Sequence, residues 1–427
     1  MNHRAFCPEP KPKSRPEGTE KGKALQAARL AEVSRHWERR GSESAMVKRR
    51  GSGSRGGGDP AGPSRMERDF AVSGLPDYLE AQRTRVFCGA DSNTSAKHFG
   101  SAHSYVSTGY DNSQTWQEFE NSLKISVRKL DDEMIEFDLV GVSPAFANAL
   151  RRILISEVPT MAIEHVFFLN NTSTIPDEIV SHRLGLIPIR ANPSQLKFRN
   201  VGGEEDSKDQ RNTIVLKLHC ACRGRKETSD DPKTFGKVLS SQLEWMTEGS
   251  EIPEETDVRF TVSQDKLPTF DAVAPVHGDI LIAKLSSGQE IELEAHCTKG
   301  TGAEHAKWSP VATAWYRLCP EVVLLKPVAG KRAEDLIAMF PNSDACPFEM
   351  AGDRAAVKSN AEPALESLER VRALSGDPKW SDIVQLRKIK NHFIFTIETT
   401  GVVAPQDLLV QALDILQNKA LNFATGL

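Results

Sequence analysis

The closing segment PQDLLVQALDILQNKALNF (Pro405 to Phe423) sets Leu409, Ala412, Leu413, Leu416, Ala420 and Phe423 at the 3.6-residue period of an amphipathic helix. Leu408 and Ile415 widen the apolar face beyond a single stripe. A helix with so broad a face must be covered, either by its own domain or by a partner. The strand predicted just before it, HFIFTIETT (His392 to Thr400), alternates apolar and polar residues and supplies one such surface.

A second helix of the same kind lies far upstream. LKISVRKL places Leu123, Ile125 and Val127 on one face, and EMIEFDLV places Ile135, Phe137 and Leu139 likewise, around Asp131-Asp132. This predicts a half-buried hairpin. Ser143 then offers an N-cap hydroxyl, and Pro144 the preset dihedral of a first helical position. Phe146, Leu150, Ile153 and Leu154 follow at helical spacing, and the helix is predicted to stop before Pro159.

Between the two helices the patterning is mostly that of strands. Met161 to Asn170 reads as a strand, Asp177 to Leu186 as a short helix, and Thr213 to His219 as a strand with Ile214, Leu216 and Leu218 inward. Gly202 to Asn212 and Gly224 to about Asp257 read as loops. ILIAKLSSGQEIELEAHC predicts a second hairpin turning at Ser286 to Gln289, with Ile291, Leu293 and Ala295 inward. Cys346 to Ser381 is charged and reads as loop-rich. Gly300 to Gly302 lacks the lysine and spacing of a phosphate-binding loop and reads as a turn. Trp308, beside Ser-Pro, is expected in the core.

Charge is unevenly spread. The net charge of -4 splits into +8 for Met1 to Arg65 and -12 for the remainder. The Gly/Ser/Pro-rich basic segment cannot bury enough apolar surface to order itself, apart from a possible short helix at Ala24 to Arg40. Its Lys48-Arg49-Arg50 run suits nuclear import or weak nucleic-acid contact. Seven dispersed cysteines fit a reducing compartment better than a disulfide framework. Neither a membrane span nor a secretory leader is expected.

Sites of chemistry are not expected. GxSxG, HExxH and paired CxxC patterns are absent, and no acidic grouping suits two-metal phosphoryl transfer. The close pair Cys220 and Cys222, beside His219, falls short of the four ligands of a structural zinc site, and His296 and Cys297 would have to complete it. No cofactor is expected.

SPAFANALRRILISEVPTMAIEHV (Ser143 to Val166), followed by HRLGLIPI (His182 to Ile189), resembles the alpha-motif of RNA polymerase assembly subunits. Gly288 to Leu318 is similar to the segment by which that family's insert returns to its dimerisation domain, and Leu386 to Leu416 to its C-terminal strand and helix. Leu75 to Val86 and Asp111 to Val127 resemble the extension of the form shared by polymerases I and III. The polymerase II form has a four-cysteine zinc loop, and some archaeal relatives an iron–sulfur cluster; this sequence has the pattern of neither.

The resemblance implies an α+β fold, with an alpha-like dimerisation domain interrupted by a mainly β insert. The expected segments are a basic tail (1–70), a family extension (71–114), dimerisation parts at 115–195 and 325–427, and the insert at 196–324. It also implies a non-catalytic subunit that pairs with the smaller alpha-like subunit and carries the second-largest, beta-like subunit among the other polymerase I and III subunits. DNA would be met only through the complex, in the nucleus and nucleolus. The expected partner-contact residues are Phe146, Leu150, Arg151, Arg152, Ile153, Leu154, His182, Arg183, Leu409, Ala412, Leu413 and Leu416. On the residues alone, intrachain packing of both helices and pairing of the arginines with Asp138 or Glu157 stay open. A homodimeric scaffold and a nucleic-acid-binding regulator acting through the tail are the rival readings.

Overall fold

A computed structural model describes residues 76–96, 113–199, 208–222, 236–266, 272–340, 346–358 and 364–426. The expected tail, its helix at Ala24 to Arg40 and Lys48 to Arg50 lie outside the described residues. Strands and helices alternate in mixed order, and every ladder among the described strands is antiparallel, which makes this an α+β fold.

The first sheet is organised by one long strand, β16 (Val384–Thr399). Along one edge it pairs with β13 (Val311–Leu324). Its other edge is shared: β1 (Arg85–Cys88) pairs with residues 386–389, and β4 (Met134–Val140) with residues 392–398. Beyond them lie β2 (Asn93–Thr94) next to β1 and β3 (Lys124–Leu130) next to β4. The two halves of β16 therefore serve two separate cores.

On the β4 side, α3 (Pro144–Ser156) and α8 (Pro405–Thr425) lie over Phe137, Leu139, Phe393, Phe395 and Ile397. Phe137 and Phe395 stack with centroids 5.3 Å apart at 9°. As expected, Ser143 caps α3 by accepting from the Phe146 amide at 3.4 Å, and Pro144 occupies its first turn. Gly141 turns the chain from β4 toward α3 with φ +85°, and a Cβ there would lie 2.2 Å from the Ser122 carbonyl oxygen. Only glycine meets both constraints.

On the β1 side, α6 (Lys331–Ala338) and α7 (Leu365–Leu374) bury Leu336, Leu368, Val371 and Leu374 around Phe348 and Trp380. The short hairpin of β14 (Phe348–Ala351) and β15 (Arg354–Val357) closes this core. Cys346 to Ser381 thus holds more regular structure than its charged composition suggested. The charged residues of α7 form its outer face, while the apolar ones recur every third position.

The second sheet has the order β5-β12-β7-β9, with β5 (Pro159–Asn171), β7 (Thr213–Ala221), β9 (Glu244–Trp245) and β12 (Glu290–Thr301). Its core includes Ile214, Leu216, Leu218, Ile291, Leu293 and Ala295, all inward as expected, together with Val180 and Leu184 of α4 (Asp177–Gly185). The turn at Ser286 to Gln289 forms, but its flanks do not pair into the predicted hairpin. Both edges of β12 are taken by β5 and β7, so β11 (Leu281–Leu285) pairs instead with β8 (Gly236–Leu239), inside a stretch that had read as loop.

The sheets also part at residues other than 195 and 324. β5 already belongs to the second sheet and β13 already to the first, because strand pairing and not loop composition decides where the chain crosses. Gly300 is part of β12, not a turn. A Cβ on it would lie 2.4 Å from the indole of Trp308, which is buried as expected and donates from Nε1 to the Thr298 carbonyl at 3.1 Å.

Candidate subunit interface

The two helices singled out in the sequence pack side by side, and Lys419 on α8 reaches Glu157 at the end of α3, 2.7 Å from its carboxylate. Leu150, Ile153 and Leu154 of α3, with Leu409 and Ala412 of α8, are buried inside this chain. All five belong to the first core, together with Phe137, Phe393 and Phe395, and each is 8% exposed or less. They hold the helices in place.

What remains outside them is a rim of apolar surface. Phe146, Leu413, Ile415 and Leu416 are half-buried against the core edge, as are Phe119 and Leu123. Farther out, Phe423 is 73% exposed, at the free end of α8. On the other flank, Ile125 (50% exposed) and Val127 (36%) of β3 lie opposite Leu139 and Phe137 of β4, on the face that elsewhere carries the helices. The predicted hairpin is present, but the apolar side of its outer strand is open, because α3 and α8 cover only the middle of the sheet. Trp116 of α2 (Trp116–Ser122) is 74% exposed beside Phe119, with ring centroids 5.6 Å apart. Among the described residues nothing covers this belt.

Arg151 and Arg152 stand at the border of that surface. Arg151 donates to Asn148 Oδ1 through Nε (3.2 Å) and Nη2 (2.9 Å), and Arg152 is exposed. The intrachain carboxylates considered for them are engaged elsewhere, Glu157 by Lys419 and Asp138 by Arg128 and His392. Burial works against the Asp138 carboxylate, but hydrogen bonds from Arg128 and His392 outweigh it and hold Asp138 below the usual carboxylate range. Neither arginine therefore takes up the intrachain carboxylate pairing considered for it.

His182 and Arg183 are not brought to this belt. They sit on α4, over the second core; both are exposed. An Arg183 Nη2 group donates to the Leu281 carbonyl, tying α4 to β11. His182 lines a cleft of about 720 Å³ between β5 and α4, with Val166, Phe168, Leu186 and Lys307 on its walls. This cleft was not foreseen from the sequence. Its one visible signal was Leu186, an apolar residue just past the last turn of a helix that already buried Val180 and Leu184.

The candidate metal ligands diverge. Strand alternation puts His219 opposite Glu292 on one face of β7, while Cys220, opposite Ile291, points into the core on the other. Burial pushes the Cys297 thiol up to about 12 and, against the pull of Glu294, the His296 imidazole down to about 4. Among the described residues, the group that does converge is His219, Glu290 and Glu292, with ligand atoms within 4.8 Å of one another. It is exposed or half-exposed, and His219 Nε2 is already 2.8 Å from Glu290 Oε1.

Comparison with known proteins gives this geometry a context. The signature of the RNA polymerase Rpb3/Rpb11 dimerisation domain matches residues 136–420. The sequence is 38% identical over 356 residues to the DNA-directed RNA polymerases I and III subunit RPAC1 of Homo sapiens, covering 81% of this chain and 95% of that one. Identity to the protein of the same name in Saccharomyces cerevisiae is 36% over 311 residues, covering 71% and 87% of the two chains. The DNA-directed RNA polymerase II subunit rpb3 of Dictyostelium discoideum is 30% identical over 318 residues, 72% of this chain and 95% of its own.

Proposed function

Because the chain belongs to the RNA polymerase Rpb3/Rpb11 dimerisation family, we propose that it is the larger alpha-like assembly subunit shared by DNA-directed RNA polymerases I and III. The observation that carries this reading is similarity over nearly the whole length of relatives named for those two enzymes, stronger than to a relative named for polymerase II. The chain works with other polymerase subunits and contributes assembly, not chemistry, to a nucleotidyl-transferring complex.

The nearest partner in this reading is the smaller alpha-like subunit, and the apolar belt is where it docks. Phe146, Leu413, Leu416 and Phe423, with Ile125 and Val127 of β3, make the contact; Leu150, Ile153, Leu154, Leu409 and Ala412 support it from behind. A core left open along one side is what a permanent partner closes, since obligate interfaces resemble a domain core cut in two. Arg151 and Arg152 then face the second-largest, beta-like subunit, where a guanidinium fork meets a carboxylate as a bidentate pair. His182 and Arg183, on the separate α4 surface, serve a second contact with the assembly.

In this reading the chain acts in the nucleus, in the nucleolus with polymerase I, and touches DNA only through the complex. A regulator driven by the basic tail finds less support, since the similarity lies in the body and the body is acidic. Co-expression with the smaller alpha-like subunit, followed by mass measurement of the purified species, tests the pairing. A 1:1 heterodimer is expected; a stable homodimer that ignores the second subunit would overturn it.

A further inference from the structure

In the second sheet a bulge interrupts the pairing of β5 with β12. His165 pairs with His296 and Ile163 with Cys297, so Glu164 is an extra residue of β5 with nothing opposite it. Bulges re-aim the side chains around them. Here Glu164 and His165 line a cleft of about 420 Å³ together with Thr298 and Lys299 of β12 and the buried Trp308. Arg199, Lys208 and Glu304 complete its walls.

The cleft holds more donors and more positive charge than the chain itself satisfies. Lys299 donates from Nζ to the Pro193 and Leu196 carbonyls, at 2.6 and 2.9 Å, and lies 4.8 Å from the centre of the Phe198 ring. An ammonium has three N–H groups, so one is left over. Among the described residues no carboxylate pairs with Lys299, and desolvation pulls it below the usual lysine value with nothing to offset the pull. Thr298 is only 8% exposed, yet its hydroxyl makes no hydrogen bond among the described residues. A buried polar group without a protein partner is one that a bound molecule can satisfy.

The His165 imidazole also has no hydrogen-bond partner among the described residues. Desolvation, followed by the charge of Lys208, holds it below the usual imidazole value; Glu164 opposes the shift, and Arg199 and Lys307 add to it. The field at its ring is therefore positive. Lys208 gives one N–H to the Thr256 carbonyl at 2.7 Å. Glu164 is paired with Lys307, which leaves Glu304 as the other carboxylate set against Arg199, Lys208 and Lys299.

We propose that this cleft binds a small phosphate anion, inorganic phosphate or pyrophosphate. Three cations against one uncommitted carboxylate suit a multiply charged anion, and donors gathered from two strands and their flanking segments suit a group with several acceptor oxygens. Thr298 and the free N–H of Lys299 donate to the phosphate oxygens. Arg199 adds a guanidinium fork, which matches phosphate as a bidentate pair, and Lys208 adds a point charge.

Isothermal titration calorimetry of the full chain with sodium pyrophosphate, and separately with sodium phosphate, tests this with ionic strength held constant by sodium chloride. One saturable site is expected, tighter for pyrophosphate than for phosphate. Thr298→Val keeps the shape of the side chain and removes its hydroxyl, and Arg199→Gln removes a charge from the wall. Each should weaken binding about tenfold, the scale of one hydrogen bond to a charged group. Lys326→Met, outside the cleft, should bind as the unaltered chain does, and thermal melts establish that all three variants fold. No saturable binding of either anion up to the millimolar range would overturn the proposal, and that result needs no variant. Binding kept at full strength in both Thr298→Val and Arg199→Gln, or weakened equally by Lys326→Met, would overturn it as well.

Discussion

Replacing Phe423 by alanine separates the role of the α8 end in docking from its role in the fold. Phe423 is 73% exposed and lies outside the set that packs on the first core, so the free subunit loses almost nothing when the ring is removed. Full burial of a phenylalanine side chain contributes roughly 2 to 3 kcal/mol. If the partner covers the exposed share of the ring, truncation removes about 1.5 to 2 kcal/mol of binding, which is a tenfold or slightly larger loss of affinity. Titration calorimetry against the smaller alpha-like subunit reads that change, and thermal melting of the free chain supplies the control. Affinity unchanged within about twofold would refute docking through this end of α8, whereas a large drop in melting temperature would refute the claim that the ring is idle in the free chain.

Three further outcomes follow from buried positions. Leu154→Asp should abolish folding and not merely partner binding, because an unpaired charge inside the first core costs several kcal/mol; circular dichroism of the isolated variant checks this, and a native spectrum would contradict it. Gly300→Ala should destabilise by about 2 kcal/mol or more, since its Cβ and the Trp308 ring cannot share one position; denaturant melts read the loss. His296, buried and with Nδ1 unpartnered, has a folded-state value of about 4, below the usual 6.5 of an unfolded chain. On acidification the unfolded chain takes up this proton first, so stability is full above about pH 6.5 and this contribution is lost as pH falls toward 4. Urea melts at pH 7.5 and 5 should show the decline, with a smaller decline in His296→Gln; identical declines would contradict the assignment.

The hydrophobic period made α3, α8 and β4 legible, because each has one face against a core and its apolar residues repeat accordingly, whereas β5 and β7, buried on both faces at Thr160 to Ile163 and Thr213 to Leu216, stood out by their apolar content. It failed where pairing partners are chosen at long range. The turn at Ser286 to Gln289 has the local chemistry of a hairpin, yet β12 is claimed on both edges by strands distant in sequence. Helix α7 was hidden by its charged outer face, though Leu368, Val371 and Leu374 marked its inner one. At the candidate interface, period identified the helices but not the sides that stay open. Leu154 and Phe423 look alike in a helical pattern, and only the packed structure separates the enclosed residue from the exposed one.

Purification of the tagged full chain from its own cells through a moderate-salt wash, with mass spectrometric identification of what stays bound, tests the central claim most directly. The account predicts the smaller alpha-like subunit together with the largest subunits of both polymerases I and III. Recovery of polymerase II subunits instead, or of no polymerase subunit, would contradict it.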